Sequence, residues 1–562
     1  MELQGTGIGL GVALGPVVRM AEPLPEPVDR PSHLDPDREA ERARGSLAVV
    51  AAELQGRGAK AGGSAQDVLE AQAMMAEDPT LMDDIVKRLA DGKTAERAVF
   101  EAFASFREML AGMGGYMAER AADLDDVSQR VIANLLKLPA PGVPNPGHPF
   151  VLVARDLAPA DTATLDLDQV LGLVTIDGGP TSHTAILARE KSIVAVVGAT
   201  GAGQLDSGDQ VIVDAENDLV IVGPSPDQAA AAQERIAERK ARAAAPVTPG
   251  ALADGTPVPL LANLGSADGA AAAVELGAEG VGLFRTEFLF LDAQQAPTVR
   301  EQQEQYTRLL NAFAGKKVVV RVLDAGADKP LSFLNDADEE NPALGLRGIR
   351  ALRESEAILR EQLTALAAAD AATDADLWVM APMVANVEEA RYFTALAKEL
   401  GIRTAGVMIE VPSAALLADR LLAATDFASI GTNDLTQYTM AADRMLGTVA
   451  TFQNPWHPAV LSLVASVGEA GRELGRPVGI CGEAAADPML AVVLVGLGAT
   501  TLSMSPSALA DVRASLARYT KDDAIAIARA ALAAEGAAEA QQAAKDAAGS
   551  VTAGHDVSAP QS

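Results

Sequence analysis

Five histidines occur in the 562-residue chain, and one of them, His183, stands where chemistry can be done. The stretch from Thr175 to Glu190 reads TIDGGPTSHTAILARE. Gly178 and Gly179 permit a tight backbone of close approach. HTAILARE is a good short helix former after Pro180, Thr181 and Ser182. A helix N-terminus carries unpaired N–H groups and a positive end. That end disfavours imidazolium, leaving a neutral nucleophilic nitrogen near neutral pH, and it stabilises a phosphoryl group once attached. Thr181 and Ser182 add hydroxyl donors. From these residues alone two readings stand: a capping histidine packed at a helix start, and an imidazole that accepts a phosphoryl group.

A second group of candidates lies in the C-terminal half. Glu410 and Asp434 are hard oxygen donors that follow different apolar runs. Two carboxylates together with substrate oxygens make a usual Mg²⁺ site. Arg285, Arg321 and Arg444 can neutralise an anion, because guanidinium forks suit phosphate and carboxylate. Asn263 and Asn433 sit at equivalent places. Cys481, in GICGEAA, reads either as a small buried residue or as a proton donor. Each alone has a plainer reading: a surface ion pair for an arginine, a strand end for Glu410. Together they imply a small, multiply anionic substrate. Phosphoenolpyruvate has that chemistry, with a phosphate, a carboxylate and an enol ether oxygen. Cys481 would then protonate the enolate carbon.

What would position these residues is a recurring pattern. From 256 to about 517 a short apolar run ends in a polar or Gly-rich tip, and a helical stretch usually follows. There are eight such runs: VPLLANLGS, GVGLFRTEF, KVVVRVLDAG, LWVMAPMVAN, TAGVMIEVPS, FASIGTNDLTQY, PVGICGEAA and TTLSMSPS. Eight strand–helix units match a (β/α)8 TIM barrel, whose catalytic groups sit at the C-terminal ends of the strands. The barrel is expected over 251–520. Ahead of it, the Pro-bounded, Ala-rich and charged segment 224–250 looks like a linker helix.

Residues 145–223 carry short strand-like runs (FVLVA, VLGLVTI, SIVAVVG, QVIVDAENDLVIVG) and read as a compact α/β domain. The Gly-rich, β-like segment 1–21 can rejoin it. Residues 22–144 would then be an inserted helical domain, a bundle of about four helices with apolar residues at three- and four-residue spacing. The end, 521–562, is rich in Ala, Gln and Ser beyond about 535, with almost no large apolar residue there, and reads as a largely disordered tail. The fold class is α/β multidomain.

Bulk properties exclude several function classes. The net charge is −31 without a concentrated basic stretch, which argues against nucleic acid. The acidity suits either a basic protein partner or simply a solvated surface. The expectation is no membrane insertion, because no run of eighteen apolar residues occurs. The N-terminus has no basic region ahead of an apolar core and does not read as a secretion signal. The single Cys481 rules out an internal disulfide and fits the reducing cytoplasmic compartment.

The motifs themselves are long and specific. DGGPTSHTAILAR is similar to a phosphohistidine signature, and GVGLFRTEFLF, NPALGLRGIR, GVMIEVPSAA, SIGTNDLTQYTMAADR and GICGEAAADP follow in family order. To about residue 520 the chain closely resembles the Enzyme I family of the bacterial sugar phosphotransferase system, the phosphoenolpyruvate–protein phosphotransferases. The resemblance implies that His183 is phosphorylated on Nε2 by phosphoenolpyruvate, giving pyruvate. The phosphoryl group then passes to a histidine of the small phosphocarrier protein HPr. By motif, Arg285 and Arg321 hold the phosphate, Glu410 and Asp434 bind Mg²⁺, Asn433 and Arg444 complete the pocket, and Cys481 protonates the enolate. Thr162, in PADTAT, would orient His183, and Arg189 would steady the phosphoimidazole. The α/β domain would be a swivelling phosphohistidine domain, the bundle would bind HPr, and the barrel would form a homodimer. Within LEAQAMMAEDPTLM, Met74 and Met75 would supply apolar contact to HPr, and Glu77 and Asp78 acidic charge. Pro180 departs from the family, standing where several relatives carry a basic residue.

Two other classes compete. Phosphoenolpyruvate synthase and pyruvate phosphate dikinase share the phosphohistidine domain and barrel but need an ATP-grasp domain. The 182 residues before His183 read as a strand and a bundle, with no Gly-rich ATP cradle. A non-catalytic regulatory homologue would be expected to have lost site residues, whereas His183, Glu410, Asp434, Cys481 and the arginines are all present.

Overall fold

A computed structural model describes residues 1–21, 24–61, 63–113, 115–138, 142–144, 146–157, 165, 169–179, 182–191, 193–290, 296–326, 331, 333–334, 339–444 and 446–557. Within these, the side chains at 59–61, 63–68, 111–113, 115–122, 183, 186, 189–190, 447–448, 450 and 552–557 lie outside the description. The chain divides into two compact units, Met1–Ala237 and Glu238–Ser562.

The first unit holds an eight-stranded mixed sheet, in the order β1-β8-β7-β3-β4-β5-β6-β2. Its strands are β1 (Glu2–Gln4), β2 (Thr6–Ile8), β3 (Val12–Arg19), β4 (Phe150–Ala154), β5 (Val170–Thr175), β6 (Val194–Val197), β7 (Gln210–Asp214) and β8 (Leu219–Val222). The run β3-β4-β5-β6 is parallel, with Val17 opposite Val151 and Gly172 opposite Val194. Parallel strands are covered on both faces, and two apolar clusters do this. One is built on Val17, Val151, Val153, Val174 and Val213, the other on Phe150, Leu152, Leu173, Ala185 and Ala195.

The chain leaves the sheet after β3 and returns in its neighbour β4, so everything between is an insertion between adjacent strands. Among the described residues five helices fill it: Pro36–Ala61, Gly63–Ala76, Pro79–Ala90, Ala95–Met113 and Gly115–Leu136. The sequence reading expected about four. It merged the last two; Gly115, at which the second of them begins, weakens a helix interior. Asp78 caps the third helix by accepting from Thr80 N, with Pro79 at the first helical position. Leu47, Leu54, Leu81, Ile85, Phe103, Val127 and Val131 form the bundle core.

The second unit is a closed barrel of eight parallel strands: β9 (Leu260–Leu264), β10 (Val281–Arg285), β11 (Lys317–Arg321), β12 (Asp376–Ala381), β13 (Thr404–Ile409), β14 (Ala428–Ile430), β15 (Val478–Ile480) and β16 (Thr501–Met504). Pairing of β16 with β9 closes it. Each strand lies in one of the eight apolar runs. Leu283, Val319, Met380, Met408, Phe427 and Cys481 pack together inside. Gly406 makes room for the Phe427 ring, since a Cβ there would lie 2.5 Å from it.

The expected disordered tail is instead helical, over Lys521–Leu532 and Ala537–Val557. A capping box between Thr520 and Asp523 starts the first of these helices. Ala524, Ile527, Ala528 and Ala531 are buried on it, and it packs against Pro488–Gly496. A Cβ on Gly496 would lie 2.1 Å from Ala524 O, so the glycine sets the close approach. Ala540, Ala544 and Ala548 are then buried on the last helix, which packs on the helix before it. Small residues let helices approach closely, and alanine is the best helix former. The expectation failed because it counted only large apolar residues. Among the described residues no helix is long and apolar enough to cross a membrane.

Candidate active site

The mouth of the barrel is a chain of buried charges. Arg321 ends β11, and its guanidinium meets Glu287 at 2.9 Å and Asp324 at 3.1 Å. Asp324 also meets Arg347 at 2.9 Å, and Arg347 reaches Asp434 at 3.2 Å. Asp434 in turn meets Arg444 at 3.3 Å. All but Arg444 are buried. Burial works to raise the Asp324 carboxyl, but Arg321 and Arg347 outweigh it and hold it at about 2.

Glu410 follows β13 and is 1% exposed. Its Oε2 accepts from Met383 N at 2.8 Å. Burial, then the Asp434 and Asp324 carboxylates, push Glu410 up to about 8. Met383 holds φ 57°, a strained value for a residue with a side chain. Its amide is thereby tied to Glu410, and strain of this kind gathers at functional sites.

Buried polar groups fix the arginines. Thr286 Oγ1 donates to Arg321 O at 3.0 Å, and Gln362 donates to Thr286 at 3.2 Å while accepting from Leu323 N at 3.0 Å. Arg347 precedes Gly348, whose φ of 57° turns the chain toward Asp324. Among the described residues Arg321 Nε is buried without an acceptor, a donor an anion can satisfy. Arg285 ends β10 directly beside Arg321 and is exposed. Asn433 Oδ1 accepts from Glu483 N at 3.1 Å, tying the loop after β14 to that after β15. Asn263 donates to Cys481 O at 3.0 Å. Cys481 itself is 2% exposed, and burial pushes its thiol up to about 12, so it stays protonated at neutral pH.

The mouth thus brings together Arg285, Arg321, Glu410, Asp434, Arg444 and Cys481, with Asn433 beside them. The sequence reading missed Glu287, Asp324 and Arg347, which link the others. Arg347 lay inside the quoted motif NPALGLRGIR, and Asp324 follows Arg321 at three residues. Among the described residues no group of three or more His, Cys, Asp or Glu forms a metal cage. Mg²⁺ does not need one, since it is ordinarily held by one or two carboxylates plus substrate phosphate. Glu410 and Asp434 fit that donor set, and the crowding that raises Glu410 is what a divalent cation relieves.

The His183 turn is built differently. The helix His183–Glu190 begins at that residue. Ser182 Oγ accepts from Ala185 N at 3.2 Å, which caps the helix. Gly178 holds φ 89° and a Cβ on it would lie 3.2 Å from Ser182 Oγ. Thr184 donates to Asp156 at 2.6 Å, fixing the helix start to the loop after β4. Thr162, Pro180 and Thr181 lie outside the described residues, as do the side chains of His183 and Arg189. In the bundle, Met74 is 66% exposed and Met75 packs partly against the core. Glu77 is exposed, while Asp78 is engaged as a helix cap.

A closed parallel barrel with a mouth of buried charges, in a chain that also holds an α/β domain with an inserted helical bundle, defines a class, and three family models match the chain. The N-terminal domain of PEP-utilising enzymes matches residues 4–120, their mobile domain 146–218 and their PEP-binding domain 239–521. The chain is 53% identical to the phosphoenolpyruvate-protein phosphotransferase of Streptomyces coelicolor, over 97% of this chain and 98% of that one. It is 38% identical to the Bacillus subtilis protein of the same name, over 93% of this chain and 95% of that one. It is 41% identical to that of Haloferax volcanii, over 84% and 85%. The chain belongs to the phosphoenolpyruvate-protein phosphotransferase family.

Proposed function

We propose that the chain takes a phosphoryl group from phosphoenolpyruvate onto His183, releases pyruvate, and passes the group to a histidine of HPr. The observation that carries this reading is the barrel mouth, where Arg321 Nε is a buried donor without a partner beside the exposed Arg285. Arg285 and Arg321 hold the phosphate, and Asn433 and Arg444 close the pocket. His183 Nε2 attacks phosphorus, the bond from phosphorus to the enol oxygen breaks, and the enolate remains. The Cys481 thiol then gives its proton to the enolate carbon, forming pyruvate. Burial suits it to this, because a donor must be protonated at neutral pH. Mg²⁺, held by Glu410 and Asp434, would supply neutralising charge to the phosphate and carboxylate oxygens. Thr162 would orient the imidazole, and Arg189 would steady its phosphorylated form.

In-line transfer brings the nucleophile to about 3 Å from phosphorus, and HPr must reach the same nitrogen. Both cannot occupy it together, so the α/β domain carries His183 between the barrel mouth and the helical bundle. Met74 and Glu77 are accessible for HPr docking. A cytoplasmic homodimer joined through the barrel completes the reading.

The test is incubation with phosphoenolpyruvate and Mg²⁺, with and without purified HPr, followed by intact mass of both proteins. One phosphoryl group is expected on the chain without HPr and on HPr when it is present. A chain that gains no mass with phosphoenolpyruvate overturns the proposal.

A further inference from the structure

Inside the barrel, on the strand side of Cys481, lies a small cavity lined in part by Lys317, Ser429, Thr501, Ser503, Gly282 and Gly479. The cavity measures about 10 Å³, about what one water molecule needs among polar neighbours. The glycines make that room. A Cβ on Gly282 would lie 2.4 Å from Ser503 Oγ, and one on Gly479 2.9 Å from Thr501 Oγ1 and 3.6 Å from Ser429 Oγ. Barrel interiors are ordinarily filled by bulky branched side chains, and hydroxyls with glycines depart from that.

Ser429, 4% exposed, lines the cavity, and its hydroxyl lies near enough to the Cys481 thiol to work against the burial that raises it. The thiol donates to Ile430 O at 3.5 Å, so the serine hydroxyl is the donor to sulfur. Lys317, the first residue of β11, also lines the cavity and keeps part of its surface exposed. Its ammonium sits 3.6 Å from the Trp378 ring centroid and 5.8 Å from that of Phe427. Among the described residues no oxygen accepts a hydrogen bond from it. Asp376, the carboxylate that acts on it, accepts from the Trp378 indole at 2.8 Å. Burial lowers this ammonium to about 8, so it gives up a proton near neutral pH.

We propose that Ser429, one water in this cavity and Lys317 form a relay that returns a proton to Cys481 after each turnover. The proposal rests on the reading that Cys481 protonates the enolate. That step leaves a thiolate among Leu283, Val319, Met380, Met408 and Phe427, a costly place for charge. Sulfur takes the Ser429 hydroxyl proton, the serine oxygen takes one from the water, and the water takes one from the Lys317 ammonium. The amine is recharged from solvent at the N-terminal end of the barrel. Product fills the mouth at that moment, and this route approaches from the opposite side. Lys317 and Ser429 act through Cys481 and touch no substrate.

The relay is needed to reset Cys481, not for the first protonation. Rapid quench of the full chain with excess phosphoenolpyruvate, Mg²⁺ and HPr separates the two. Lys317→Met and Ser429→Ala should each release the first equivalent of pyruvate at the wild-type rate and slow later turnovers at least tenfold. Ser429→Ala removes one buried hydroxyl and should keep the fold if Lys317→Met does not. Unchanged later turnovers in both variants overturn the relay. A first turnover slowed as much as the rest also overturns it, because that marks a distorted barrel. If wild-type protein forms no pyruvate, the parent reading itself has failed.

Discussion

The two places where the proposed reaction happens are made by opposite means. The barrel mouth is a ladder of charge, running Glu287, Arg321, Asp324, Arg347, Asp434, Arg444, buried up to its last member. The His183 turn is made of glycine, hydroxyls and a helix start, held by Ser182 and the Thr184–Asp156 bond. Buried charge needs fixed partners, because the interior does not screen it. A site of that kind is rigid and suits a bound anionic donor. A helix N-terminus stabilises a phosphoryl group with backbone dipoles that go wherever the helix goes. For the proposed reaction the contrast suits a division of labour: a donor site fixed in place by ion pairs, and a self-contained acceptor site that can be carried.

The sharpest way to break the contrast is at Arg347, which holds two buried carboxylates at once. Arg347→Met leaves Asp324 with Arg321 alone and Asp434 with Arg444 alone, and losing a buried cation shared by two carboxylates should cost up to about 3–5 kcal/mol. Denaturant unfolding should show that loss in the barrel, and calorimetry should show loss of phosphoenolpyruvate binding. The α/β domain should unfold as before. A smaller effect is expected at the turn. Gly178→Ala forces an alanine to φ 89°, a cost of about 1–2 kcal/mol. It should lower the α/β domain's midpoint while leaving phosphoenolpyruvate binding unchanged.

The smallest effect belongs to the bundle. Glu101 meets Lys93, Arg88 and Arg97. Burial alone would raise its carboxyl, but those three cations hold it at about 2. A carboxyl depressed in the folded state stabilises above its unfolded value, about 4.3, and loses that contribution as pH falls toward the folded one. The stability gap between wild type and Glu101→Gln should therefore be full at neutral pH and close between about pH 4.5 and 2. Acid titration of bundle unfolding by circular dichroism checks this.

Much of the fold was legible because its strands announce themselves. Each barrel strand is a short apolar run that stops at a polar tip, as GVGLF stops at Arg285 and GVMI at Glu410. Residues standing at strand tips, such as Arg321, Glu410 and Cys481, could be gathered before any coordinates. Glu287 and Arg347 are harder to find, because they pair across loops and pairing across loops has no spacing rule, whereas Asp324 stands three residues after Arg321 and that spacing could have found it. The last helix was illegible for another reason. Its burial rests on Ala540, Ala544 and Ala548, which a search for large apolar residues passes over. Gly115, which opens the last helix of the bundle, divides that stretch once its helix-breaking tendency is weighed against the surrounding period.

The division of labour is tested most directly by His183→Ala with phosphoenolpyruvate and Mg²⁺. Intact mass and calorimetry are read on the same preparation. The account predicts no phosphoryl gain and wild-type affinity for phosphoenolpyruvate. Acid-labile phosphorylation persisting in that variant, or loss of phosphoenolpyruvate binding along with the imidazole, would contradict it.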